Sequence, residues 1–174
     1  MKNLERRGIM ITRLPSVTFK IREDGEWTEK TSDEMFVDRN IMLALPGAFT
    51  PTCSSTHLPQ FDLLYDEFKG YGIENIYCLS VNDSFVMNAW AKELGISNVK
   101  MIPDGNADFT RQMGMLVNKA DKGFGYRSWR YAIITEGMNI AKSFIESGYG
   151  DNTSDDPFEV SSATYVLDYL RNNT

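Results

Sequence analysis

Hydrophobic residues recur along this chain in two rhythms: short apolar runs closed by turn residues, and longer stretches at helical spacing. Residues 17–22 read as a short strand, followed by a turn at Asp24-Gly25. Residues 40–45 (NIMLAL) form an apolar run closed by Pro46-Gly47, the pattern of a buried strand. From 53 to 68, Leu58, Phe61, Leu64 and Phe68 fall near helical spacing, and Pro59 inside the stretch predicts a kink or a restart. Residues 75–81 (NIYCLSV) predict a second buried strand. Asn82-Asp83-Ser84 then offers N-cap groups to a helix carrying Phe85, Val86, Ala89, Trp90 and Leu94, which Gly95 stops.

The second half continues the alternation. Residues 100–102 predict a third strand, and residues 107–113 a short helix ending at Gly114. Residues 130–135 and 138–145 predict two strands, with Glu136-Gly137 as the hairpin signal between them. Residues 148–156 are a polar loop. Asp156-Pro157 with Glu159 reads as an N-cap, a proline at the first helical position and an acidic third position. Ala163, Val166, Leu167 and Leu170 mark the buried face of the helix that follows. This order predicts an α/β sandwich with a mixed central sheet flanked by helices. At 174 residues, residues 1–174 are expected to form one domain.

Composition narrows the partners. The net charge is −6, which provides no electrostatic attraction to nucleic acid or an anionic membrane. No apolar run reaches the roughly 18 residues of a membrane span. The first residues, MKNLERRGIMITRLP, are broken by charges, so no secretory signal is expected and a cytoplasmic location is. Two Cys and one His are too few for a four-ligand zinc site built from those residues alone, and Cys53 and Cys78 are too far apart for a CxxC motif.

The segment from Ile41 to Phe61 contains no Lys, Arg, Asp or Glu, and Cys53 stands within it at the start of the helical stretch. The first turn of a helix presents free N–H groups and the positive end of the macrodipole, and both favour a thiolate. Thr50 and Thr52 add hydroxyl donors nearby. A compensating cation has to come from elsewhere, and Arg127 and Arg130, which lead into the apolar strand YAII, are the candidates. Residues three apart on a strand point to opposite faces, so one of the two is expected to turn inward. His57 is one helical turn from Cys53, as a base or, the reading taken here, as a rim residue that tunes the pocket. Cys78 lies mid-strand, where a thiol is inert. Phe49 and Phe85 flank helix starts and are candidate subunit contacts.

The stretch PGAFTPTCSSTHLP, residues 46–59, resembles the active-site signature of the peroxiredoxins, with Pro46, Thr50 and Cys53 in the P-x-x-x-T-x-x-C spacing. It is similar to the atypical type II, or peroxiredoxin-5, subfamily in particular, as are IYCLSVNDSFVMNAWAKELG and RSWRYA. The similarity runs from about residue 13 to the C-terminus. Gln60 departs from it, standing where the family often has Gly.

The resemblance implies a thioredoxin-like fold and a thiol-dependent peroxidase acting on hydrogen peroxide and organic hydroperoxides. It implies Cys53 as the peroxidatic cysteine, Thr50 and the Cys53 N–H as peroxide-binding groups, Arg130 as the active-site arginine and Pro46 as a shield over the sulfur. His57 and Phe49 are expected to line the pocket. Nothing after Cys78 is cysteine, so the C-terminal resolving residue of some members is missing, and no fused glutaredoxin domain is expected. Glutathione, helped by glutaredoxin, is then the expected reductant, with thioredoxin as the alternative. No bound cofactor or metal is expected, and a homodimer touching through Phe49 and Phe85 is. Rival readings are a thiol–disulfide oxidoreductase, which lacks its CxxC here, and a non-catalytic interaction module, against which Pro46, Thr50, Cys53 and Arg130 stand intact.

Overall fold

The computed structural model describes residues 11–173. Strand β1 (Thr18–Glu23) turns at Asp24-Gly25, both at positive φ, into β2 (Glu26–Thr31). The sequence pattern missed β2 because EWTEKT contains no apolar run. A capping box of Thr31 and Glu34 opens the one-turn helix α1 (Ser32–Met35). Next come β3 (Arg39–Ala44), a π-helical turn (Cys53–His57), α2 (Leu58–Leu63) and α3 (Tyr65–Gly70). They are followed by β4 (Asn75–Ser80), α4 (Ser84–Leu94), β5 (Lys100–Pro103) and α5 (Asp108–Gln112). The chain closes with β6 (Leu116–Asn118), β7 (Tyr126–Ser128), β8 (Tyr131–Glu136), β9 (Asn139–Ile145) and α6 (Ala163–Asn172).

The central sheet has the order β5-β4-β3-β8-β9. β3, β4 and β5 run parallel, while β8 and β9 are antiparallel to their neighbours. This is the mixed sheet the alternation predicts. β3, β4 and β8 are buried on both sides, so their sequences read as continuous apolar runs. On one face Ile41, Leu43, Ile76, Cys78, Ala132 and Ile134 meet helices α2, α3, α4 and α6. On the other, Met42, Ala44, Tyr77, Leu79, Tyr131 and Ile133 meet Phe19, Ile21, Phe36 and Phe109.

Helix α4 matches its signals. Asp83 accepts from the Val86 N–H at 2.9 Å, and Gly95 ends the helix at φ 65°. The C-terminal helix does not. Ser162 caps it, six residues after Asp156, and Asp156 is not an N-cap at all. The buried carboxylate of Glu146 accepts hydrogen bonds from the N–H groups of Glu159, Val160 and Ser161. Glu159, the third residue of the expected helix, and the two residues after it are held in a loop instead. Among the described residues no helix is long and apolar enough to cross a membrane.

Candidate active site

The site forms where β3 ends and the following helical segment begins. Pro59 has no N–H and its ring crowds the carbonyl four residues back, so a regular α-helix cannot run through it. The chain responds by widening, and the Leu58 N–H bonds to the Cys53 carbonyl in a π turn rather than restarting. Cys53 lies in the first turn of this helical segment and is fully buried. Its neighbour Ser54 accepts from Trp90 Nε1 at 2.9 Å, which ties the turn to α4. Ala48 N–H donates to Asn82 Oδ1 at 3.0 Å, which ties the preceding loop to the end of β4. Phe49 adopts φ 65° at the loop's tip and is 54% exposed, so it stands at the rim.

Arg130 brings the cation. Its NH2 donates to Cys53 Sγ at 3.3 Å, and the residue is 1% exposed. Burial works against its charge, but attraction from Cys53 and Asp156 outweighs that and raises its pKa. Its NH1 donates to His57 Nδ1 at 2.8 Å. Its Nε and NH2 hold the Asp156 carboxylate at 2.9–3.2 Å. Asp156 and Phe158, whose ring lies 5.6 Å from the guanidinium carbon, come from the loop before α6. The sequence pattern predicts a cap at Asp156 and gives Phe158 no role, since nothing local marks a contact 26 residues away.

Arg127 also turns toward the loop, against the expectation that one arginine faces away. β7 ends at Ser128 and β8 starts at Tyr131, so the strand alternation is interrupted between the two arginines. Arg127 NH1 donates to the Pro46 carbonyl at 3.3 Å and its Nε to the Phe124 carbonyl at 3.0 Å. A Cβ at Gly47 would lie 2.4 Å from Arg127 NH1, so glycine there makes room for this contact. Pro46 itself is buried.

His57 is not at the rim but wholly buried, between the rings of Phe61 and Phe158. Its Nε2 lies 3.0 Å from the Ser161 carbonyl, which can only accept, while Arg130 can only donate to Nδ1. The neutral imidazole with the proton on Nε2 satisfies both. Burial and the Arg130 charge, opposed by the Ser161 hydrogen bond, push its pKa down to about 3. It orients Arg130 and makes no pair with Cys53. The Thr50 hydroxyl donates to the Gly47 carbonyl at 2.7 Å, so its proton is engaged and its lone pairs are what it can offer a ligand. Cys78, mid-strand in β4, is fully buried. Burial and then the Cys53 charge push its thiol pKa well up, against Arg130. Among the described residues no group of three or more His, Cys, Asp or Glu is placed to hold a metal.

The arrangement is a buried thiol with a fixed cation at its side. Residues 12–167 match the redoxin family. A peroxiredoxin of Synechocystis is 50% identical over 169 residues, covering 91% of this chain and 89% of that one. The hybrid peroxiredoxin hyPrx5 of Haemophilus influenzae is 48% identical over 159 residues, 91% of this chain and 64% of that one. The crystal structure of the Plasmodium falciparum antioxidant protein, a 1-Cys peroxiredoxin, superposes with a TM-score of 0.89 at 35% identity, covering 92% of this chain and 97% of that one.

Proposed function

The chain belongs to the redoxin family as a peroxiredoxin of the peroxiredoxin-5 type, and from that premise we propose that Cys53 is its peroxidatic cysteine in a one-cysteine cycle recycled by glutathione. The observation that carries this reading is the buried contact of Arg130 NH2 with Cys53 Sγ at 3.3 Å. A guanidinium so placed favours negative charge on the sulfur.

The Cys53 thiolate attacks the distal oxygen of a hydroperoxide along the O–O axis. An S–O bond forms as the O–O bond breaks. The sulfur loses two electrons to the leaving oxygen, which takes a proton from solvent and departs as water or an alcohol, and Cys53 is left as a sulfenic acid. Arg130 and the Cys53 N–H stabilise charge developing on the peroxide oxygens. Thr50, its own proton held by Gly47, accepts the peroxide O–H. Pro46 keeps bulk solvent off the sulfur. One glutathione thiol then displaces water from the sulfenic acid to form a mixed disulfide. A second thiol, of glutathione or glutaredoxin, releases the Cys53 thiolate. The cycle needs glutathione as co-substrate and no bound cofactor. The buried strand position of Cys78 supports a cycle without it.

The test is a pair of cysteine variants and a panel of reductants. Cys53→Ser abolishes peroxide consumption, and Cys78→Ser keeps most of it with glutathione and glutaredoxin. Loss of turnover in Cys78→Ser with sulfenic acid formation intact refutes the one-cysteine cycle. Turnover supported by thioredoxin alone refutes the glutathione route.

A further inference from the structure

We propose that Asp156 is the resident counter-ion of Arg130, a positioning residue that holds the guanidinium in place while the sulfur of Cys53 carries no charge. The inference rests on the reading of Cys53 as the attacking thiolate.

During such a cycle the charge beside Arg130 changes. The sulfur is negative before attack, and neutral both as sulfenic acid and in a mixed disulfide. Arg130 stays 1% exposed, and a buried cation without an anion is costly. The other groups around it do not supply one. His57 is held neutral by burial and by Arg130 itself. Cys78 is held in the thiol form by burial. Lys119 and Arg127 add positive charge nearby, with Asp156 acting on Lys119 and Cys53 on Arg127. Asp156 is the carboxylate bonded to the guanidinium, through Nε at 3.2 Å and NH2 at 2.9 and 3.0 Å. The same NH2 reaches Cys53 Sγ, so fixing one end of the fork fixes the other.

The loop that carries Asp156 is pinned on both sides by elements far away in sequence. Before it, Asp151 accepts from the Asn118 N–H, Asn152 Oδ1 from the Asp121 N–H, and the Thr153 carbonyl from Lys122 Nζ. After it, Glu146 holds the N–H groups of residues 159–161. The Asp156 side chain is 38% exposed, so its outer side stays solvated while its inner side faces Arg130.

Six reduced proteins test the proposal by thermal unfolding: Asp156, Asp156→Asn and Asp156→Glu, each in the wild-type and the Cys53→Ser background, with serine standing for an uncharged sulfur. Asp156→Asn is expected to lower the melting temperature by roughly 3 °C more in the Cys53→Ser background than in wild type. Asp156→Glu, which keeps the charge, is expected to show no difference between backgrounds. An equal or smaller loss for Asp156→Asn in the Cys53→Ser background overturns the proposal. Peroxide consumption retained by Cys53→Ser strikes instead at the reading of Cys53, and is seen in activity rather than in melting.

Discussion

His57 and Arg130 are both buried and polar, yet they answer pH in opposite ways. Arg130 stays charged throughout, whereas His57 stays neutral in the fold down to about pH 3. The unfolded imidazole takes its proton near 6.5. Between those values the unfolded chain binds the extra proton, so this contribution to stability is complete above pH 6.5 and is lost as pH falls toward 3. Over the whole window it amounts to a few kcal/mol, on the order of 1.4 kcal/mol per unit. His57→Gln keeps a donor and an acceptor but does not titrate. Its melting temperature should therefore fall less steeply than that of wild type between pH 6.5 and 4 in a calorimetric series. The two arginines differ in what they touch. Arg130→Met is expected to slow peroxide reduction by roughly 10²–10³-fold, the cost of losing one preorganised donor. Arg127→Met should cost far less, because its guanidinium reaches the Pro46 carbonyl rather than the sulfur. Stopped-flow peroxide consumption compares them, and equal losses would give the Pro46 contact the same weight as the sulfur contact.

Two irregular segments, rather than helices or strands, hold the site together. One is the π turn ahead of Pro59, which sets the outlook of Cys53 and His57 from one piece of backbone. The other is the loop before α6, where Glu146 takes the place of a helix N-terminus. Its carboxylate accepts from three backbone N–H groups and from Ser161 Oγ, and the Ser161 carbonyl in turn accepts from His57. Glu146→Gln presents N–H donors to N–H donors, leaving buried groups unpaired at about 1–3 kcal/mol each. We expect its melting temperature to fall by several degrees and amide exchange at residues 159–161 to rise. A variant that melts like wild type with those amides still protected would show that the loop holds its shape without the carboxylate.

At the scale of the molecule, the sheet order sets the active-site loop beside the start of α4, and both expose aromatics. Phe85 is 57% exposed and meets Trp27 edge-on at 5.4 Å, with Arg22 over both rings. The aromatic patch therefore includes the β1–β2 hairpin, whose place beside Phe85 no local sequence pattern marks. We propose that Phe49, Phe85 and Trp27 meet a second copy across a two-fold axis and stiffen the loop carrying Thr50 and Cys53. Phe85→Asp would place a charge in that interface, and is expected to shift the protein toward monomer and lower peroxidase efficiency together. Sedimentation velocity with activity measured at the same concentrations checks this. A wild-type protein that is monomeric at micromolar concentration yet fully active excludes it.

Local pattern was enough for whatever depends on near neighbours in the chain. The apolar runs of β3, β4 and β8 require burial on two faces, the Asp83 and Gly95 signals bound α4, and the helical spacing of apolar residues that begins just after Pro51-Thr52 places the Cys53 thiol at a helix start. What escaped it depends on partners far apart in sequence. β2 has too few apolar residues to be seen without β1 beside it. Arg127 and Arg130 both turn inward because the chain leaves its strand between them. Asp156 carries a helix-cap pattern, but the buried Glu146 claims the Glu159 N–H that such a cap would serve, and a guanidinium 26 residues away claims its carboxylate. A local preference worth about 1 kcal/mol yields to a buried charge that needs an anion, and only the folded chain brings that charge within reach.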